Sequence, residues 1–211
     1  MKKVNDHVAA RLLDQKSFKL QPNNPFTWAS GELSPVYFDS RKLLSYPRLR
    51  NLLKIELARL VIEHFPTVDV IAAVAPSAIA LGMLVAETLD LPFVYVTPRP
   101  KDHGFENQIE GETKPQQKVV IVDDQVSFAI NCTKVRDVLV KDGADVLGMV
   151  VVLDYNLAEG QERLEKSNLQ CFSLTHFENV ISKALELKRI TPAGAKSIRA
   201  WQYDPKMWKF K

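Results

Sequence analysis

Apolar positions along the chain follow two different periods, and the change between them divides it. Val4, Val8, Ala9, Leu12 and Leu13 recur at helical spacing, as do Leu49, Leu52, Leu53, Ile55, Leu57, Leu60 and Val61. The second set predicts a helix opened by Pro47 and running to about His64, because proline's fixed φ and missing N–H suit a first helical position. From Val68 onward short apolar runs alternate with helical stretches. Val70 to Val74, Phe93 to Val96, Lys118 to Val122 and Val146 to Leu153 read as buried strands, with Cys171 to Leu174 a fifth candidate. Ile79 to Leu89 reads as a helix, and so does a stretch capped by Asn131, running to about Lys141 and ended by Gly143. This alternation predicts an α/β fold: a mostly parallel sheet with helices on both faces, joined by right-handed crossovers.

Two intervals break the rhythm. Phe18 to Asp39 is rich in Pro, Asn, Ser and Gly, with extended pieces such as SPVYFD, and predicts an irregular cap or small hairpin unit. The expectation is one domain over residues 1–211, with an N-terminal cap of about residues 1–45 on a core of about residues 46–211. Thr97 to Pro115 mixes prolines and glycines with charges, and a loop of that length in a compact domain is usually a lid.

Composition narrows the class without naming an activity. The chain has 211 residues, 46% hydrophobic and 25% charged, enough to bury a substantial core. The formal charge of +3 is spread without a dense basic run, so neither a nucleic-acid tract nor a membrane patch is expected. Two cysteines, Cys132 and Cys171, lack metal-ligand spacing and are too few for a disulfide framework. With no signal-peptide pattern and no run of about 18 apolar residues, the expectation is a cytoplasmic protein with no membrane span. Neither GxGxxG nor a Walker-type loop is present. His7, His64 and His176 have no partners at metal spacing.

The most informative stretch is KVVIVDDQVSFAIN, Lys118 to Asn131. Asp123 and Asp124 follow an apolar run, and the carboxyl ends of strands are where open α/β sheets bind ligands. Side chains alternate across a strand, so the two acids are expected to point differently, one toward ligand hydroxyls or Mg²⁺ and the other steadying the loop. An Asx turn is the competing structural role for one of them.

VVIVDD followed by a loop and helix resembles the ribosyl-phosphate signature of the type I phosphoribosyltransferases. PFTWASG-ELSPVYFDSRKLLSYPRLR, LPFVYV with PKDHGFENQIEG, and AWQYDPKMW narrow the resemblance to the orotate phosphoribosyltransferase family along nearly the whole chain. The resemblance implies that orotate displaces pyrophosphate from phosphoribosyl pyrophosphate, with Mg²⁺ present, giving orotidine monophosphate in pyrimidine biosynthesis. By the same resemblance Lys101 and His103 reach toward pyrophosphate, and Asp123 and Asp124 lie near the ribose hydroxyls. Ser127, Ala129, Ile130 and Asn131 belong to the phosphate loop, and Phe26, Tyr37 and Phe38 to the pyrimidine pocket, although these aromatics read equally as packing. A homodimer with shared lids is likewise implied, with no nucleic acid or membrane partner.

The chain departs from the family pattern where phosphates bind. Ala129 stands where glycine is expected and Ile130 where a small or hydroxylated residue is expected. In VAPSAIA, Ala78 replaces a usual glycine and Pro76 removes an N–H; Thr97 and Pro98 stand where Arg and Lys are common, and Leu33 replaces a lysine. If position 129 has positive φ, alanine there costs roughly 1 kcal/mol. These departures leave a second reading open, a catalytically impaired relative that binds a nucleotide or pyrimidine in a regulatory or structural role.

Overall fold

Strands that are apolar on both faces must be covered on both, and the chain does this with one six-stranded sheet between two layers of helices. The computed structural model describes residues 2–28, 31–99 and 107–209. In chain order they form α1 (Lys2–Asp14), β1 (Phe18–Leu20), β2 (Phe26–Thr27), β3 (Leu33–Ser34), β4 (Val36–Phe38), a 3-10 turn at Ser40–Ser45, and α2 (Pro47–His64). There follow β5 (Val70–Val74), α3 (Ile79–Leu89), β6 (Phe93–Val96), β7 (Ile109–Glu110), β8 (Lys118–Val126) and α4 (Ile130–Lys141). The last elements are β9 (Asp145–Asp154), α5 (Ala158–Lys166), β10 (Cys171–His176), α6 (Phe177–Glu186) and α7 (Pro192–Tyr203).

The sheet order is β10-β9-β8-β5-β6-β7. Its first five strands are parallel, and β7 closes the edge antiparallel to β6. Strand alternation sorts the core into two halves. Ile71, Val120, Val122, Val150 and Val152 face α1, α2, α3, α6 and α7, whereas Val70, Ala72, Val119, Ile121, Met149 and Val151 face α4 and α5. Close approach of α3 to the sheet depends on Gly82, where an added Cβ would sit 2.7 Å from the Ala73 Cβ. No described helix is long and apolar enough to cross a membrane.

The interval Phe18 to Asp39 forms two short antiparallel pairs, β1 with β4 and β2 with β3. An aromatic cluster joins them to the core. Trp28 meets Tyr155 at 5.6 Å and Trp201 at 5.4 Å edge to face, and Phe18 meets Phe177 at 6.2 Å. Two indole hydrogen bonds add direction, Trp201 Nε1 to the Leu33 carbonyl at 3.0 Å and Trp28 Nε1 to the Val36 carbonyl at 3.1 Å. The helix α1 packs chiefly against β10 and α6, and its end also touches β1.

Three expectations from sequence need correction. The third strand does not stop at Val122, because β9 keeps pairing with it from Asp123 and Val151 to Val126 and Asp154. Asn131 does not cap α4: Ala129 is left-handed and turns the chain, so the helix already begins at Ile130. The interval Thr97 to Pro115 is not wholly loop, since Ile109–Glu110 pairs with Tyr95 and Val96. Helices α5, α6 and α7 were not anticipated, although Thr191 before Pro192 is a capping pair, with the threonine hydroxyl accepting the Gly194 N–H at 3.1 Å.

Trp201 is 1% exposed and joins α7 to the cap, so Trp201→Ala is expected to destabilise the protein by about 3–5 kcal/mol in denaturant unfolding. A loss below about 1 kcal/mol would show that the cap does not depend on this ring.

Candidate active site

Asp123 and Asp124 lie inside the paired length of β8, and each is only 5% exposed. Their opposite directions follow from the pleat. Asp124 faces the cap, where its carboxylate accepts hydrogen bonds from the Ser40 hydroxyl and, at 3.2 Å, from the Ser77 hydroxyl. Those serines come from the turn after the cap and from the turn after β5, so one carboxylate joins three segments. Asp123 faces the α4 side near Cys132, and its Oδ1 accepts the Asp124 backbone N–H at 2.8 Å. Burial, and then the adjacent Asp124 carboxylate, push the Asp123 carboxyl well above the ordinary aspartate range. The same burial, aided by Asp123, raises the Cys132 thiol to about 12, in keeping with a packed, unreactive group.

Only three residues separate β8 from α4. Ser127 is half-buried, Phe128 is buried, and Ala129 has φ 56° and ψ 23°. Positive φ at position 129, conditional in the sequence, is therefore present, with alanine in a conformation that favours glycine. Phe128 turns inward and meets Trp28 edge to face at 6.2 Å, which explains why a large apolar residue is tolerated here. Ile130 is 43% exposed and Asn131 is exposed. No side chain caps α4, and the first N–H groups of a helix lack intrahelical acceptors. That terminus, with its partial positive charge, suits an anion.

Of the three aromatics expected around a base, Phe26 and Tyr37 come together with ring centroids 5.6 Å apart. Phe38 is 4% exposed and packs on Phe18 at 6.2 Å, a position in the core. Tyr155, at the end of β9, was not singled out from sequence. Its ring is fully buried, its hydroxyl is the sole buried side-chain polar atom without a hydrogen-bond partner among the described residues, and it lies within electrostatic range of Asp124 and Tyr37. Burial, then Asp124, hold that phenol upward from its ordinary value. Ser40 and Ser77 were also missed, since isolated serines in turns carry no distinctive pattern; the pairing with Asp124 is purely tertiary.

The remaining departures have local roles. Ala78 is fully buried at the start of α3, behind a cis Ala75–Pro76 bond. Thr97 pairs with the far side of the interval that follows it, its N–H bonded to the Gln108 carbonyl at 2.9 Å. Leu33 is 41% exposed. Lys101 and His103 lie outside the described residues. Among the described residues no group of three His, Cys, Asp or Glu side chains could hold a metal ion. A separate cavity of about 150 Å³ between α1, α2 and β10 is lined by His64, Cys171 and His176; His64 stacks on Phe172 at 3.6 Å.

A parallel sheet carrying paired acids beside an uncapped helix start is the architecture of a type I phosphoribosyltransferase, and solved structures agree. The fold superposes on Leishmania donovani UMP synthase with TM-score 0.80 and 25% identity, covering 94% of this chain and 42% of that longer one. It superposes on orotate phosphoribosyltransferase from Aeropyrum pernix with TM-score 0.71 and 24% identity, covering 83% of this chain and 98% of that one. No protein-family model matches the chain. In sequence it is 45% identical over 208 residues to orotate phosphoribosyltransferase of Porphyromonas gingivalis, covering 99% of each chain, and it belongs to the orotate phosphoribosyltransferase family.

The raised Asp123 carboxyl makes stability depend on pH with a definite sign. A folded value above the unfolded 3.8 means the folded state holds the proton more tightly, so this residue's contribution is full below that value and is lost as pH rises through the folded pKa. Asp123→Asn keeps an oxygen for the Asp124 N–H and removes the titration. The variant is expected to melt higher than the parent at pH 7, with the difference shrinking toward pH 3.8; a lower melting temperature at pH 7 would contradict a carboxyl held above its ordinary range.

Proposed function

We propose that this chain transfers the ribosyl-5-phosphate group of phosphoribosyl pyrophosphate to orotate. Nitrogen of the pyrimidine forms a bond to the anomeric carbon as the carbon–oxygen bond to pyrophosphate breaks, giving orotidine monophosphate and pyrophosphate. Full-length kinship at 45% identity carries this reading, together with the acid pair retained beneath the loop that begins at Ser127.

In this reading the two sides of β8 divide the labour. Asp124, already an acceptor for two hydroxyls, is suited to take a ribose hydroxyl in exchange for a serine. Asp123 holds the strand end in place through the Asp124 N–H. The α4 terminus and Ser127 receive the 5′-phosphate, and Phe26 and Tyr37 hold the base between the cap and Tyr155. Lys101 and His103, by resemblance, neutralise the departing pyrophosphate, where charge develops as the sugar becomes oxocarbenium-like. The acids fit Mg²⁺ carried on the substrate better than a resident ion, because Asp124 is occupied by serine hydroxyls and Asp123 favours its protonated form. The ion supplies charge neutralisation of the pyrophosphate.

We further propose a cytoplasmic homodimer. Ile55 and Ile62 on α2 and Met83 on α3 are 55%, 60% and 49% exposed, apolar area that a second subunit would cover. Light scattering after gel filtration checks this, and a monomer at micromolar concentration would refute it.

Loss of orotate absorbance on adding phosphoribosyl pyrophosphate and Mg²⁺ is the direct test of activity. Chelation of Mg²⁺ is expected to stop it, and Lys101→Ala to lower kcat about a hundredfold or more. No absorbance change at millimolar substrate would remove the enzymatic reading.

A further inference from the structure

The loop between β8 and α4 lacks glycine, yet Ala129 is held in a left-handed conformation, and the residues that hold it lie on α5. Gly160 and Arg163 stand three apart on that helix and share a face. At Gly160 the helix comes so near the loop that an added Cβ would run into the Ser127 carbonyl oxygen. One turn later the Arg163 guanidinium donates through Nη1 to the Phe128 carbonyl. Its Nη2 is 3.2 Å from Glu159 Oε1, and Glu159 Oε2 is 2.9 Å from Lys206 Nζ, so the guanidinium is itself fixed. On the other side of the loop, the Ala129 carbonyl accepts the Thr133 hydroxyl at 2.7 Å and the Thr133 N–H at 3.3 Å.

These contacts fix successive peptide planes. A trans peptide is planar, with its C=O and N–H opposed. Because the Phe128 carbonyl is drawn toward α5, the N–H of Ala129 faces away from α5. We propose that Gly160 and Arg163 are a positioning pair for the phosphate loop: by close packing and one charge-assisted hydrogen bond they hold Ala129 left-handed and present its N–H to the 5′-phosphate. The conformational freedom that glycine would supply within the loop is replaced by a restraint from outside it. This rests on the reading of the loop as the 5′-phosphate site.

Calorimetric titration of phosphoribosyl pyrophosphate with Mg²⁺, without orotate, tests the pair in the full chain. Arg163→Ala is expected to weaken binding about tenfold or more while melting stays near the parent's, and Arg163→Lys to restore most of the affinity. In an Ala129→Gly background the same Arg163→Ala change is expected to weaken binding only about threefold, because glycine adopts positive φ unaided. An equal loss in both backgrounds would mean that Arg163 acts by its charge and would overturn the positioning role, as would no loss in either. A parent protein that binds no phosphoribosyl pyrophosphate at millimolar concentration would sink the phosphate-site reading itself. Binding by the parent with an unchanged Arg163→Ala variant would sink the positioning role alone.

Discussion

The hydrogen bonds that Asp124 accepts from Ser40 and Ser77 are the constraint on which the site's geometry depends. A carboxylate that is 5% exposed in the middle of a sheet is severely destabilised unless donors meet it. Here the donors come from two segments outside the strand, so satisfying the charge also sets the distance between cap, sheet and the turn after β5. Among the described residues Asp123 has no donor from outside the strand, and it resolves the same problem differently, by favouring its protonated form. Consecutive residues of one strand thus meet two environments, and the pleat alone decides which acid meets which.

The aromatic cluster supplies the second half of this arrangement. Trp28 from the cap lies within 6.2 Å of Phe128 from the loop, 5.6 Å of Tyr155 from the end of β9 and 5.4 Å of Trp201 from α7. Together the four rings form a shared apolar interior beneath the site. Phe128 belongs to this interior rather than to the ligand surface. An apolar residue in this loop is therefore compatible with anion binding, because a helix start binds anions through its backbone N–H groups, and α4 starts here.

Much of the sheet was legible because buried parallel strands are written as uninterrupted apolar runs: Val70–Val74 and Phe93–Val96 have the limits read from sequence. Pro47 marked the start of α2 correctly for the same kind of local reason. Where polar residues continue a strand, the pattern fails. Asp123, Asp124 and Gln125 look like an exit, but pairing with β9 holds them in the ladder, a tertiary effect that no local signal carries. Ala129 is similar: alanine favours a right-handed helix, and only its neighbours keep it left-handed. The acids and the loop were found because they adjoin an apolar run; Ser40, Ser77, Tyr155 and Arg163 were not, since their significance arises only from residues distant in the chain.

The departures in the loop gain coherence when taken with α5. Ala129 without an external restraint would tend toward the right-handed region, and Gly160, the third residue of a nine-residue helix, lacks alanine's helix propensity, a cost of up to about 1 kcal/mol. Each is unfavourable alone. Together they are complementary, because the missing Cβ at position 160 admits the Ser127 carbonyl, and that approach brings Arg163 to the Phe128 carbonyl. A loop composed of glycines would need neither. The left-handed turn that begins α4 is thus braced by residues of another element.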